Sequence, residues 1–278
     1  MASSILVNGA AVSEVSALDR GLAYGDGLFE SIRFVGGSAP LWARHMCRLA
    51  ESCQRMRMPM PQAAQLWHEA REVSDGWPQA VVRITLTRGV GERGYAPPVA
   101  ARPTRIVAAF APPSVESEAY AHGLRLRTCD IRLAQQPLLA GMKHLNRLEQ
   151  VLARAEWSDP AIAEGVLCDN HERVISATMA NLFALIDGVL RTPRLDRCGV
   201  AGVARAEVLA VYPQALVGEQ TRLDLLGASE VFLSSSVRGI LPVHRLDEQA
   251  YAPGTITRQL QQHWRNLGFS MEPFDGAG

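Results

Sequence analysis

Residues 141–150 read Gly141-Met142-Lys143-His144-Leu145-Asn146-Arg147-Leu148-Glu149-Gln150, and Lys143 is the only lysine in the 278-residue chain. The other 27 of the 28 basic residues are arginine. A guanidinium stays protonated, so arginine serves wherever charge alone is needed. It cannot replace an amine that must lose its proton and attack a carbonyl. A drift toward arginine could strand one lysine anywhere. This one falls between a strand-like segment and an amphipathic segment, where loops carry function. It is therefore the first candidate for a Schiff-base lysine.

The flanking segments set the fold class. Ile5-Leu6-Val7 and Ala10-Ala11-Val12 around Asn8-Gly9 predict a hairpin. Strands are expected over 29–35, 81–87 and 104–110, and helices over 42–57 and 62–74. On the first helix Met46, Leu49, Cys53 and Met56 share one face, and His45 and Arg48 another. The run Pro112-Pro113-Ser114-Val115-Glu116-Ser117 reads as a linker. It predicts a smaller N-terminal domain (1–111), a linker (112–117) and a larger C-terminal domain (118–278). In the second, strands are expected over 124–133, 165–169, 173–176, 181–192 and 230–233. Helices are expected over 145–157, 202–211 and 255–266, the first with Leu145, Leu148, Leu152 and Ala155 facing inward. Strands and helices do not alternate regularly, so the fold class is α+β with mostly antiparallel sheets.

Composition narrows the function. Lys+Arg 28 balances Asp+Glu 28, which argues against nucleic acid as a partner. Five scattered cysteines form no Cys-x-x-Cys pair, so neither a disulfide framework nor a metal site is expected. The opening residues have no basic start and no long apolar run, so a soluble, cytoplasmic chain without a membrane partner is expected. No Gly-x-Ser-x-Gly elbow or His-Glu-x-x-His pair occurs.

A pyridoxal-phosphate enzyme needs more than a lysine. It needs a phosphate cradle, a group facing the ring nitrogen and pockets for substrate carboxylates. Cys198-Gly199-Val200-Ala201-Gly202-Val203-Ala204-Arg205 places glycines directly before a helix, where free N–H groups and the helix dipole favour an anion. Ser234-Ser235-Ser236 at a strand end could add hydroxyls. Arg83, Arg88 and Arg93 crowd a glycine-rich segment, and forked guanidiniums suit carboxylates. Asp19 and Asp26 read as structural acids.

Taken together, these motifs resemble the fold-type IV pyridoxal-phosphate enzymes. That group holds the branched-chain and D-amino-acid aminotransferases and the 4-amino-4-deoxychorismate lyases. The matching stretches are Leu18-Asp19-Arg20-Gly21, Tyr24 through Glu30, His45 with Arg48-Leu49, Arg88-Gly89 through Tyr95, and Lys143 through Gln150. Asn181-Leu182-Phe183, Thr192-Pro193, Leu195 through Gly202 and Leu241-Pro242-Val243 follow in the same order. The Lys143–Gln150 segment and the Arg93-Gly94-Tyr95 loop are most similar to the lyases.

The resemblance implies a two-domain fold with the cofactor, pyridoxal 5′-phosphate, in the interdomain cleft of a homodimer. Lys143 would carry the cofactor and act as general base and acid. Arg48, the N–H groups of Val203 and Ala204, and Ser236 or Ser235 would hold the phosphate. Arg88 and Arg93 would bind the substrate's carboxylates. The implied reaction turns 4-amino-4-deoxychorismate into 4-aminobenzoate and pyruvate, in folate synthesis. An aminotransferase acting on D- or branched-chain amino acids is the alternative, and a non-catalytic binding protein of the same fold a third. One position departs from the group. Most members carry a glutamate, facing the ring nitrogen, five residues before the Asn of Asn-Leu-Phe, but here that position is Ser176. A hydroxyl cannot hold a positive ring as a carboxylate can, which predicts weak transaminase activity; Glu172 is the nearby acid that could substitute.

Overall fold

The computed structural model describes residues 4–269. The chain divides into two compact units. One holds the residues through Pro112 together with Met142–Asn146; the other holds Pro113–Gly141 and everything from Arg147. The chain thus returns to the first unit for the short segment around Lys143.

The first unit contains β1 (Ile5–Val7), α1 (Arg20–Tyr24), β2 (Gly27–Val35), α2 (Trp42–Arg55), α3 (Ala63–Val73), β3 (Gln79–Thr87) and β4 (Thr104–Phe110). Its sheet has the order β1-β4-β3-β2 and is antiparallel throughout. Val82, Ile84 and Leu86 of β3 are fully buried, as a period of two requires. α2 sinks Met46, Leu49 and Cys53 into the same core. Phe34, Trp42 and Trp67 pack edge-to-face and stacked beside it. The hairpin expected at Asn8-Gly9 makes its turn, with φ of 53° and 85°, but no second strand. After the Val7–Ala10 backbone pair the chain departs, and β1 pairs with β4 instead. Leu6 and Val7 on β1 are buried, whereas Ala10 and Ala11 are exposed.

The second unit contains α4 (Ser117–His122), β5 (Leu124–Leu133), α5 (Leu148–Arg154), β6 (Ile162–Asp169), β7 (Val174–Ala177), β8 (Asn181–Ile186), β9 (Val189–Pro193), α6 (Val203–Val211), β10 (Leu216–Gly218), α7 (Arg222–Leu226), β11 (Glu230–Ser235), β12 (Gly239–Leu246), β13 (Gln249–Ala250) and α8 (Thr255–Asn266). Its sheet runs β10-β9-β8-β11-β12-β5-β6-β7, with β13 on β12. Only β9–β10, β5–β12 and β5–β6 are parallel. Phe183 and Phe232 stack at 5.1 Å on neighbouring central strands. The register pairs Asn181, which opens β8, with Ser234 near the end of β11, so two polar strand ends meet at one edge.

α5 corrects an expectation. The helix is shorter than 145–157, because Lys143 and Leu145 bond to β2 in extended conformation. Leu148 and Leu152 are 68% and 53% exposed rather than inward, and the buried residue is Ala153. The apolar stripe is present, but among the described residues it stands exposed.

Candidate active site

Lys143 is fixed by its backbone. Its carbonyl accepts from Phe29 N at 2.9 Å, and Leu145 N donates to Gly27 O at 3.0 Å. The segment is therefore a short antiparallel partner of β2. The Lys143 ammonium sits 4.1 Å from the centre of the Phe29 ring, and the Arg83 guanidinium lies 4.4 Å from the same centre. Cations prefer such π faces.

Glu30, the next residue of β2, is buried among cations. His45 Nδ1 lies 2.6 Å from its Oε2, and Arg48 Nε donates to Oε1 at 2.8 Å. Arg48 Nη2 reaches Oε2 as well. Burial alone would push the Glu30 carboxyl up, but the Arg48 charge and His45 hold it at about 2. Burial lowers the His45 pKa against the pull of Glu30, with Arg48 and Lys143 adding to the effect. A neutral ring donates through Nδ1, and its buried Nε2 has no hydrogen-bond partner among the described residues. Arg48, expected at the phosphate, thus has two of its nitrogens on Glu30.

The three arginines near the glycine-rich loop separate. Arg88 is buried, with Nε on Asp26 at 2.7 Å, Nη1 on Arg57 O at 3.1 Å and Nη2 on Met56 O at 3.0 Å. Each of its nitrogens already has an acceptor inside the fold. Arg93 is exposed. Arg20 shares Asp26 and reaches the carbonyls of Gly94 and Tyr95 at 2.9 and 3.2 Å, which ties down the loop bearing Arg93. Asp26 is held below the usual carboxylate range: burial opposes this, and Arg88 and Arg20 outweigh it. Asp19 caps α1 and accepts from Thr87 and Thr104. Both acids are structural, as read.

In the second unit, Asn181 shapes the glycine loop. Its Nδ2 donates to Val200 O at 2.9 Å, and its Oδ1 accepts from Gly202 N at 3.0 Å. A Cβ on Gly202 would come 2.0 Å from that Oδ1, so only glycine allows this approach. Gly202 precedes α6, and no side chain caps this helix. The N–H groups of Val203 and Ala204 therefore lead an uncapped helix, which attracts an anion. Arg205, in the same turn, bonds Thr192 Oγ1 at 3.2 Å and Pro193 O at 3.0 Å, and burial pushes it down to about 10. Ser234 Oγ is buried without a partner among the described residues. Gly141 exchanges backbone bonds of 3.0 Å with Gly199 and Ala201.

Ser235 Oγ accepts from Val237 N at 3.3 Å and Arg238 N at 3.4 Å, closing the turn that holds Ser236. Ser176 is buried on β7, opposite Leu167. Glu172, the acid that could have stood in for a glutamate at 176, is 61% exposed and bonds Arg132 Nε at 2.7 Å. It is spent at the surface.

The family model for amino-transferase class IV matches residues 27–246. The chain belongs to this family. A 4-amino-4-deoxychorismate lyase from Pseudomonas aeruginosa, of known structure, is 45% identical with a TM-score of 0.90, over 94% of this chain and 98% of that one. An aminodeoxychorismate lyase from Vibrio harveyi is 36% identical over 92% of this chain and 97% of its own. A D-alanine aminotransferase from Staphylococcus aureus is 30% identical over 93% and 95%. The fold is that of the fold-type IV enzymes, and their cofactor is pyridoxal 5′-phosphate. The residues fit it: one lysine for the aldehyde, and an uncapped helix start whose N–H groups favour an anion for the phosphate.

Three contributors had no role in the sequence reading. Glu30 and Asn181 were visible only as members of matching motifs, and Glu164 lay just outside the strand expected over 165–169. A buried carboxylate facing a helical His-x-x-Arg was the available signal for Glu30.

Proposed function

We propose that this chain converts 4-amino-4-deoxychorismate to 4-aminobenzoate and pyruvate, a step of folate synthesis. The observation that carries this reading is the 45% identity to a lyase across 94% of the chain, against 30% to a D-alanine aminotransferase. Ser176 points the same way, since it puts no carboxylate where transamination needs one.

When bound, the cofactor supplies a carbonyl for the substrate amine and an electron sink. The rest is the work of the protein. Lys143 Nζ, seated on the Phe29 face, would hold the cofactor through its aldehyde. The Lys143 amine would take the proton from C4. The C3–O bond breaks, the ring becomes aromatic, and a proton returned to the departing CH2 carbon gives pyruvate. Arg48, Val203 N, Ala204 N and the hydroxyls of Ser235 and Ser236 would hold the phosphate, with Glu30 and His45 orienting Arg48. Arg83, beside Lys143 on the Phe29 ring, and exposed Arg93 take the two substrate carboxylates. Arg88, expected in that role, holds the fold instead.

The active form in this reading is a homodimer. Leu148, Val151 and Leu152 form an exposed apolar face on α5, 53–68% exposed, and a second copy is the occupant it fits. The place is the cytoplasm: all five cysteines are free, and four are buried. No helix among the described residues is long and apolar enough to cross a membrane. Fluorescence of 4-aminobenzoate formed by the purified chain tests the proposal.

A further inference from the structure

Glu164 is wholly buried at the start of β6, beside the apolar run Val166-Leu167-Cys168. A carboxylate there is costly unless its oxygens are all bonded. They are. Oε1 takes the Arg238 guanidinium; Oε2 accepts from Thr178 Oγ1 and from Met179 N at 3.2 Å. These contacts land on two different turns. Thr178 and Met179 belong to the β7–β8 turn, which leads straight into Asn181. Arg238 belongs to the β11–β12 turn, which begins at Ser235 and Ser236. Asn181 and Ser234 are register partners, so one buried carboxylate bridges the turns on either side of that pair.

The Arg238 end is held three ways. Tyr120 Oη donates to Arg238 O at 2.8 Å, the Ser235 hydroxyl takes Arg238 N, and Glu164 takes the side chain. An ion pair of this kind adds little net stability over apolar packing. What it specifies is geometry, and an anion site needs its donors placed to within a fraction of an ångström.

We infer that Glu164 is a positioning residue for the cofactor phosphate. Through Arg238 it sets the serine turn against the loop that Asn181 anchors, without touching the phosphate itself. The inference rests on the phosphate site proposed above.

The test separates phosphate from the rest of the cofactor. Full-length chain freed of cofactor is titrated with pyridoxal 5′-phosphate and, separately, with pyridoxal, for wild type, Glu164→Gln, Arg238→Lys and Gly202→Ala. Glu164→Gln keeps the shape and an acceptor for Met179 N but removes the charge facing Arg238. Its affinity for pyridoxal 5′-phosphate should fall about tenfold, the worth of one charge-assisted contact, with pyridoxal unchanged. Arg238→Lys, which keeps the charge and so the fold, should fall in the same phosphate-specific way. Equal losses for both ligands would make Glu164 merely structural and overturn the inference. So would no loss in either variant while Gly202→Ala loses phosphate-specific affinity. If Gly202→Ala shows no such loss either, the phosphate site is misplaced and the inference falls with it.

Discussion

The Glu30 carboxylate and the His45 ring stand 2.6 Å apart with each side chain only 1% exposed, and Arg48 closes the group from the next turn of α2. Such a cluster makes stability depend on pH with a definite sign. Glu30 is held at about 2 against an ordinary 4.5. Between those values the unfolded chain binds a proton that the folded chain does not, so stability rises with pH and is lost as pH falls through about 2. His45 is also shifted down, by burial first, so below 6.5 the unfolded chain protonates first and the loss begins there. Urea midpoints should therefore decline steadily below pH 6.5. Glu30→Gln should cost about 3–5 kcal/mol near neutrality, because Arg48 loses its partner, and should flatten the acid limb. A midpoint independent of pH in this range would contradict the arrangement.

Arg83 and Arg88 should separate cleanly by readout. Arg83→Met is expected to raise KM about ten- to hundredfold, the worth of one charge-assisted carboxylate contact, with little change in Tm. Arg88→Met should lower Tm instead, since Asp26, Met56 and Arg57 lose the group that joins them. The reverse pattern would exchange the two roles.

Ser176→Glu should raise transamination between D-alanine and 2-oxoglutarate, since a carboxylate would then stand where most of the family has one. Lyase activity should change less. Wild-type transamination as fast as 4-aminobenzoate formation would refute the part given to Ser176.

The α5 face makes a prediction about assembly. Replacing both Leu148 and Leu152 by Asp should convert a dimer to a monomer in sedimentation, without loss of helical signal. Wild type sedimenting at the mass of one chain would remove the homodimer from the account.

Much of this was legible in the residues. A period-two pattern located β3 and a period-3.6 pattern located α2 because each buries one face against a core, while α6 was marked by the glycine that opens it. The lone lysine stood out because arginine cannot do its chemistry. The orientation of α5 was not legible: an apolar stripe looks the same whether the chain's own core or another copy covers it. Nor were the partners of Arg88, since three acceptors from Asp26, Met56 and Arg57 meet only in the fold. Glu164 and Arg238 lie 74 residues apart, and no local pattern joins them.

The most direct test is 4-aminobenzoate fluorescence from purified, cofactor-loaded chain supplied with 4-amino-4-deoxychorismate, beside Lys143→Ala. The account predicts steady product formation by wild type, none by the variant, and little turnover in a parallel reaction with D-alanine and 2-oxoglutarate. Turnover of D-alanine alone, or undiminished product from Lys143→Ala, would contradict it.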